Sequence, residues 1–481
     1  MNHGLRTNAI SFASNVVIGV ASTAPAYSLA AALPALVAAA KFGVPAILIL
    51  AFLPMLFIAV AYYHLNRADP DCGTTFSWAT RALGPYGGWM GGWAILATDI
   101  LVMPGLAQIA GEYSLHLAGV GEPSVFTVTA VGVAWIALMT LICYRGIELS
   151  ANTQKFLLGA EIVILIVFAV VALTKVYSGA APGSRIALSW FNPFTIGSGS
   201  DFTQAMLVAI FIYWGWDTGA AVNEETKNPK TAPARAAVVS TLLLVGIYTI
   251  VSMAAVAFAE PELATYSGDD FLAPLANSVL GSGMSKLLII AVLTSAAACT
   301  QTTVLPAART AISMARAGAL PKAFAEIHPR YLTPGVATLA MGMVSIVWYL
   351  GLVFVFSNDV LTDSVTATAI GIAFYYGLTG FACVAYYRRE IFKSTRNFIF
   401  MGAVPAVGAM SMLLLFVGSC ITYSNPDQSK ASFGGVGAAL IFGIGALVVG
   451  VVLMAWARFA LPKFFGRKRE VVDPNLLPQT G

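Results

Sequence analysis

The chain alternates long apolar runs with short polar stretches, and within each run the residues are apolar on every side. Strict alternation would mark a half-exposed strand, and a 3.6-residue stripe a surface helix; a run apolar all round belongs to a helix embedded in apolar surroundings. Nearly uncharged stretches fall at 11–39, 44–63, 88–117, 124–144, 156–177, 203–223, 236–259, 287–310, 334–356, 364–387, 399–421 and 433–457. A hydrocarbon layer about 30 Å thick is crossed by roughly 20 helical residues. The pattern predicts an all-α integral membrane protein of about 12 transmembrane helices, with residues 1–481 forming a single domain. Between the runs, segment 64–87 carries Pro, Gly and charge and is expected to lie along the interface. The acidic loop Glu260–Gly283 is expected to carry a short surface helix. The basic, then Pro-rich, tail of residues 466–481 reads as disordered. The first apolar run is too long for the apolar core of a cleavable signal.

Composition agrees with lipid as the solvent. Of 481 residues, 58% are hydrophobic and 10% charged, against about 25% charged in a soluble chain. The placement of charge gives the direction. With the N-terminus inside, 21 of the 26 Lys and Arg residues fall on inside segments; Lys41, Lys175, Arg185, Lys286 and Lys430 fall outside. This asymmetry predicts cytoplasmic N- and C-termini in the cell membrane, with lipid as the surrounding partner. The net charge of +4 gives no reason to expect nucleic acid.

Several chemistries find no support in the residues. The five cysteines (Cys72, Cys143, Cys299, Cys383 and Cys420) have no zinc spacing and form no disulfide framework. The histidines at 3, 64, 116 and 328 stand near span ends without a ligand cluster. No metal, cofactor or catalytic residue is expected, and the chain does not read as an enzyme. A phosphate-binding GxxxxGK[ST] loop is absent from the sequence, which argues against an ATP-driven pump.

Two runs are interrupted halfway. Span 1 contains Gly19-Val20-Ala21-Ser22-Thr23-Ala24-Pro25-Ala26-Tyr27, and span 6 contains Phe211-Ile212-Tyr213-Trp214-Gly215-Trp216-Asp217-Thr218-Gly219. A mid-span proline removes an amide donor and clashes with the preceding turn. Taken singly, each is an ordinary kink or packing glycine. Their positions, first and sixth, are equivalent places in two five-span halves, the pattern of inverted-repeat transporters. Non-helical backbone at membrane depth is tolerated where it is buried or lines a cavity. Half-helix N-termini would offer N–H groups to a carboxylate, and freed carbonyls would accept from an ammonium.

At these motifs the chain resembles the amino acid–polyamine–organocation superfamily of permeases. The resemblance rests on the span 6 run followed by Glu224-Glu225-Thr226-Lys227-Asn228-Pro229-Lys230, on Arg309 through Met314-Ala315-Arg316-Ala317-Gly318-Ala319-Leu320-Pro321, and on the sequence around Pro25. With the twelve-span layout it covers nearly the whole chain. Many members carry Gly-Ser-Gly where this chain has Ser22-Thr23-Ala24-Pro25. The resemblance implies a five-plus-five inverted repeat (11–177 and 203–387) with two added spans (399–457), and a small amino compound held between spans 1, 3, 6, 8 and 10. It implies a substrate-binding backbone segment at Ser22, Thr23, Ala24, Pro25 and Ala26, an aromatic cover from Phe211, and an unwound segment at Trp214 and Gly215.

Acids within a span are costly and default to functional hypotheses. Asp99 lies twelve residues beyond Gly87, about 18 Å along a helix, near the midplane; it is expected to pair with a substrate ammonium, the alternative being a structural partner on a neighbouring span. Glu161 lies six residues beyond Lys155. Several proton-coupled relatives have a lysine near this place, and a carboxylate here would suit a carried proton, with Thr300, Thr302 and Thr303 as neighbours by resemblance. The alternative is a snorkelled acid. Asp217 is expected to gate or relay rather than touch substrate. Glu224, Glu225 and Arg309 are expected at an inner gate, or else as interfacial ion pairs worth about 0–1 kcal/mol. Glu112 and Glu122 read as outer-rim residues, and Gly87-Gly88 and Gly91-Gly92 as close helix packing. Together the sequence predicts a secondary active transporter working by alternating access, with H+ as the coupling ion, the alternative being a substrate/product exchanger. A channel fits the paired broken helices less well.

Overall fold

The computed structural model describes residues 4–181, 183, 185–259, 272–281, 283–356 and 360–466, nearly all of them helical. Helix α1 (Phe12–Ser22) starts at Ser11, whose side chain accepts from the Ser14 amide, and stops at Thr23. Helix α2 (Pro25–Ala40) restarts on Pro25, a residue suited to a first helical turn. The chain reverses at Lys41–Gly43 into α3 (Val44–Ala68). A short α4 (Thr75–Leu83) precedes α5 (Pro85–Leu117), α6 (Val125–Arg145) and α7 (Ile147–Ser178). The second half repeats the rhythm: α8 (Gly199–Ile212), α9 (Thr218–Ala221), α10 (Ala232–Ala259), α11 (Leu272–Leu280), α12 (Lys286–Arg316), α13 (Gly335–Gly351) and α14 (Val360–Tyr386). One-turn α15 (Thr395–Asn397) runs through a π-helical stretch into α16 (Val404–Ser424); α17 (Ala438–Ala460) and one-turn α18 (Pro462–Phe465) close the described chain.

Among the described residues, ten helical runs are long and apolar enough to cross a membrane. The first, Phe12–Ala68, has 57 residues, which as one helix would reach about 85 Å. It is two spans, folded back where Lys41 takes φ 50°. The shorter apolar α8 is the first half of the broken span 6. These additions restore the twelve spans expected from the apolar runs. Their ends shift in places. Helix α7 begins at Ile147, nine residues before the predicted 156, because the helix continues past the polar residues Glu148 to Lys155. The predicted start of span 12 is a two-stranded hairpin, Ser432-Phe433 against Val436-Gly437. Gly434 and Gly435 turn it with φ 59° and 80°, a conformation that glycine adopts without strain.

Spans 2 and 7, 3 and 8, and 4 and 9 pack on each other: α3 on α10, α5 on α12, and α6 on α13. The most apolar stretch is 78% buried in α5 and in α14, but 28% buried in the runs containing α16 and α17. Spans 3 and 10 are thus central, while spans 11 and 12 present apolar surface outward, as at Val452, Trp456 and Phe459. The glycines of α5 allow its close contacts. A Cβ on Gly92 would meet Met314 Sδ at 2.8 Å, and one on Gly91 would meet Thr75 Cγ2 at 2.9 Å.

Segment 64–87 does not lie along a surface as expected. Thr75, Phe76, Ser77, Trp78, Ala79 and Ala82 of α4 are buried, packed on α5 and α14. Its polar residues find partners inside: Thr75 meets the Thr379 hydroxyl at 2.6 Å, and Ser77 donates to Asp71 Oδ1 at 2.6 Å. The loop expected at 260–283 does hold a helix, α11, though residues 260–271 and 282 lie outside the described residues, as does the tail from 467 onward.

Candidate functional site

Both interrupted spans are broken helices. In span 1, Ala24 takes φ 45° between α1 and α2. In span 6, α8 ends at Ile212 and α9 begins at Thr218; Gly215 between them has φ 116°, which glycine tolerates. The two breaks touch. The Ser22 and Thr218 hydroxyls are 2.8 Å apart, and a Cβ on Gly215 would sit 2.6 Å from Ser22 O. The Tyr248 hydroxyl of α10 lies within reach of a freed carbonyl from each break, Ile212 O at 2.6 Å and Thr23 O at 3.2 Å. Gly215→Ala would add left-handed strain of about 1–3 kcal/mol and push the breaks apart. We expect uptake to fall roughly tenfold or more with the protein still monodisperse. Gly246→Ala, where a Cβ meets nothing within 4 Å, should leave uptake unchanged in the same assay.

A small cavity opens beside the contact, lined by Ser22, Ile95, Asp99, Trp214, Gly215, Asp217, Thr218, Thr303, Pro306 and Tyr375. It holds two carboxylates and no basic side chain. Asp99 is 3% exposed, and its Oδ2 has no hydrogen-bond partner. Asp217 accepts from three phenols: Tyr376 at 2.8 Å, Tyr62 at 3.2 Å and Tyr375 at 3.3 Å. The Trp214 indole N–H donates to the Tyr375 hydroxyl. Such a cavity suits a cation: an ammonium can pair with carboxylates and lie on aromatic faces.

Glu161 lies behind the span 1 break, fully buried. Its Oε1 accepts from the Ala26 amide at 2.6 Å and from the Ser295 hydroxyl at 2.9 Å, while Oε2 has no partner. It is not snorkelled, and its hydrogen bond to α12 is with Ser295 rather than with Thr300 or Thr302. Those hydroxyls donate to their own helix, Thr300 to Ala296 O and Thr302 to Ala298 O, so Ser295 is the neighbour that α12 supplies.

Toward the face that carries the N-terminus, the bundle is closed by ion pairs. Arg309 meets Glu225 through two bonds, Nε to Oε2 at 3.0 Å and Nη2 to Oε1 at 3.1 Å, with both side chains 0% exposed. This is a buried pair, not the interfacial one that the positions near span ends had allowed. Arg316 pairs with Glu224 at 2.9 Å. The strand-like Ile10 joins the same region: its amide donates to Glu225 O at 3.0 Å, and Lys227 N donates to Ile10 O at 2.8 Å. Asn15 ties α1 to Gly219 O and Thr226 Oγ1.

Asp71, Cys72 and Glu224 bring potential metal-ligand atoms within 4.8 Å of one another. Their acceptors are committed elsewhere. Asp71 Oδ1 takes bonds from Gly73 N, Ser77 and Ser313, and Glu224 takes them from Arg316 and Cys72 N. Burial pushes the Cys72 thiol well above its ordinary range, with Glu224 and Asp71 adding to the shift, whereas metal binding needs the thiolate. The group belongs to the closed face.

Of the residues singled out from sequence, Ser22, Asp99, Trp214, Gly215, Asp217 and Thr303 line one cavity. Asp217, for which the sequence predicts a gating or relaying role, is among the residues that line it. Phe211 is partly buried in the apolar core, outside the cavity lining; Trp214 and Tyr375 supply the aromatic walls. The amide of Ala26 is taken by Glu161, so the expected donor from span 1 is occupied by the chain itself. Tyr62, Tyr375, Tyr376, Tyr248 and Ser295 were missed. The adjacent pair Tyr375-Tyr376 within an apolar run was the available signal.

A multi-pass helical protein with two broken helices meeting at a buried cavity is built as a membrane transporter. The chain belongs to the amino acid permease family, whose profile matches residues 7–457, and so to the superfamily that its motifs resemble; it is a transporter and not an enzyme. Among its relatives, the branched-chain amino acid permease BcaP of Lactococcus lactis subsp. cremoris is 25% identical over 435 residues, 85% of this chain and 88% of that protein. The low-affinity putrescine importer PlaP of Escherichia coli K12 is 24% identical over 311 residues, 63% of this chain and 66% of the relative. An uncharacterized transporter of Mycobacterium tuberculosis is 26% identical over 332 residues, 68% of this chain and 70% of the relative.

Proposed function

We propose that this protein is a proton-coupled secondary transporter that moves a small amino compound across the cytoplasmic membrane by alternating access, with both termini in the cytoplasm. The observation that carries this reading is the cavity where the two broken spans meet, walled by Asp99, Asp217, Trp214 and Tyr375 and without a basic residue. Relatives of both kinds, amino acid permeases and a putrescine importer, support an amino compound as cargo. Residues 11–177 and 203–387 act as the two repeats. Their broken members rock against the remaining spans, and Glu224, Glu225 and Arg309 close the cytoplasmic side. Glu161, joined to α2 through the Ala26 amide, carries the coupling proton.

Reconstituted proteoliposomes test this. An imposed inward proton gradient should drive uptake of an amino compound above its equilibrium level, and an uncoupler should collapse it. Uptake indifferent to the gradient but dependent on internal substrate would replace proton coupling with exchange. A purified protein stabilised by no amino acid or amine in a thermal-shift screen would count against the cargo itself.

A further inference from the structure

Which polar groups at the breaks remain free decides what the cavity can hold. An amino acid presents two charges, and its carboxylate would be expected at the N-terminus of α2, a sixteen-residue half-helix whose first amides form the positive end of its dipole. Those amides are occupied. Thr23 N donates to Val20 O at 3.2 Å and Ala24 N to Ala21 O at 3.1 Å. Pro25 has no N–H. Ala26 N donates to Glu161 Oε1 at 2.6 Å and Tyr27 N to Ser295 Oγ at 3.1 Å; Ser28 N returns to Ala24 O at 2.7 Å. The Ser295 hydroxyl itself donates to Glu161 Oε1. A carboxyl group of the protein therefore stands where a substrate carboxylate would bind, and a second one brought there would find that place filled and no free amide at the start of α2.

The cavity shows the opposite balance. Asp99 and Asp217 face it, no Lys, Arg or His lines it, and Asp99 Oδ2, buried, lacks a partner. We propose that the transported species is an organic amine without a carboxylate, a monoamine or diamine whose ammonium sits between Asp99 and Asp217 against Trp214, and not a zwitterionic amino acid. This rests on the reading of the cavity as the transport site. Glu161 is then a tethered carboxyl group that fills this place on α2 and excludes carboxylated relatives of the substrate.

Paired substrates differing only in the carboxylate test it: putrescine against ornithine, and 3-methylbutylamine against leucine, each in proteoliposome uptake with the full-length protein. The amine of at least one pair should be taken up, and its carboxylated partner roughly tenfold less or worse. In Glu161→Ala, which leaves the Ala26 amide without its acceptor, the ratio is read as downhill uptake without a proton gradient, because proton-driven accumulation is lost with Glu161; it should narrow through a gain in downhill amino acid uptake, and thermal unfolding of the variant checks that it folds. Wild-type uptake of the amino acid equal to or above that of the amine overturns the substrate class while leaving the transport reading intact. An unchanged ratio in a folded Glu161→Ala overturns the excluding role of Glu161. Uptake of neither member of any pair overturns the transport reading and this one with it.

Discussion

Replacing either partner of the Arg309–Glu225 pair alone should destabilise the protein by about 3–5 kcal/mol, the penalty for leaving a buried charge uncompensated. Both side chains are inaccessible, and the guanidinium contacts the carboxylate through two nitrogens. Glu225→Ala and Arg309→Ala should therefore unfold at clearly lower temperature in detergent. The double replacement Arg309→Met with Glu225→Leu removes both charges at once and should recover the loss, since an apolar pair of similar volume is often neutral or more stable by about 1–4 kcal/mol. Single variants within about 1 kcal/mol of wild type would mean that water reaches the pair, as it does at exposed ones. The pair is also incompletely satisfied: Arg309 Nη1 has no partner. A contact that leaves one strong donor unmatched is less deeply bound than a fully bonded one, which suits the opening that the proposed alternating access requires. The double variant should accordingly keep its fold while losing coupled uptake, because nothing polar then favours re-closure over collapse.

The spans were legible because lipid allows few charged residues, so that the uncharged runs carry the span count. The two breaks were legible as well, since Pro25 and the pair Trp214-Gly215 stand inside apolar runs. Asp99 could be placed by helical rise alone. Other features depend on packing that no local pattern encodes. Tyr62, Tyr375 and Tyr376 converge on Asp217 from α3 and α14, yet in the sequence each is one more aromatic in an apolar stretch. The resemblance points to Thr300 and Thr302 beside Glu161, but the hydrogen bond from α12 comes from Ser295, at least five residues earlier, because the contact depends on how deep α7 and α12 pack. Helix α4 looked interfacial for its charge and glycine, and only the partners of Thr75 and Ser77 within the bundle explain its burial. Arg309 and Glu225 are 84 residues apart, and their positions near span ends gave no hint that both are dry.

Glu161→Gln should flatten the pH dependence of uptake while preserving the fold. Glutamine retains a carbonyl oxygen that can accept from the Ala26 amide and the Ser295 hydroxyl, the two bonds now made by Oε1, so the junction of α2 with α7 and α12 has no reason to come apart. What is lost is a group that can release and regain a proton. In the native chain, Glu161 is fully buried with Oε2 unpartnered, and Oε1 is held by the Ala26 amide at the start of α2 and by Ser295. In the proposed cycle, movement of α2 away from α7 would withdraw the Ala26 amide and favour the protonated acid, and its return would favour the carboxylate. Proton binding and the position of the broken helix would then be linked, and linkage of this kind is reciprocal. Uptake by Glu161→Gln should show little response to external pH across the range where wild type responds, and should lose accumulation driven by a proton gradient while retaining downhill exchange. Wild-type pH dependence in a folded, exchange-competent Glu161→Gln would remove this residue from the coupling cycle. The proton would then have to be carried by Asp99 or Asp217, which Asp99→Asn distinguishes if it flattens the profile where Glu161→Gln does not.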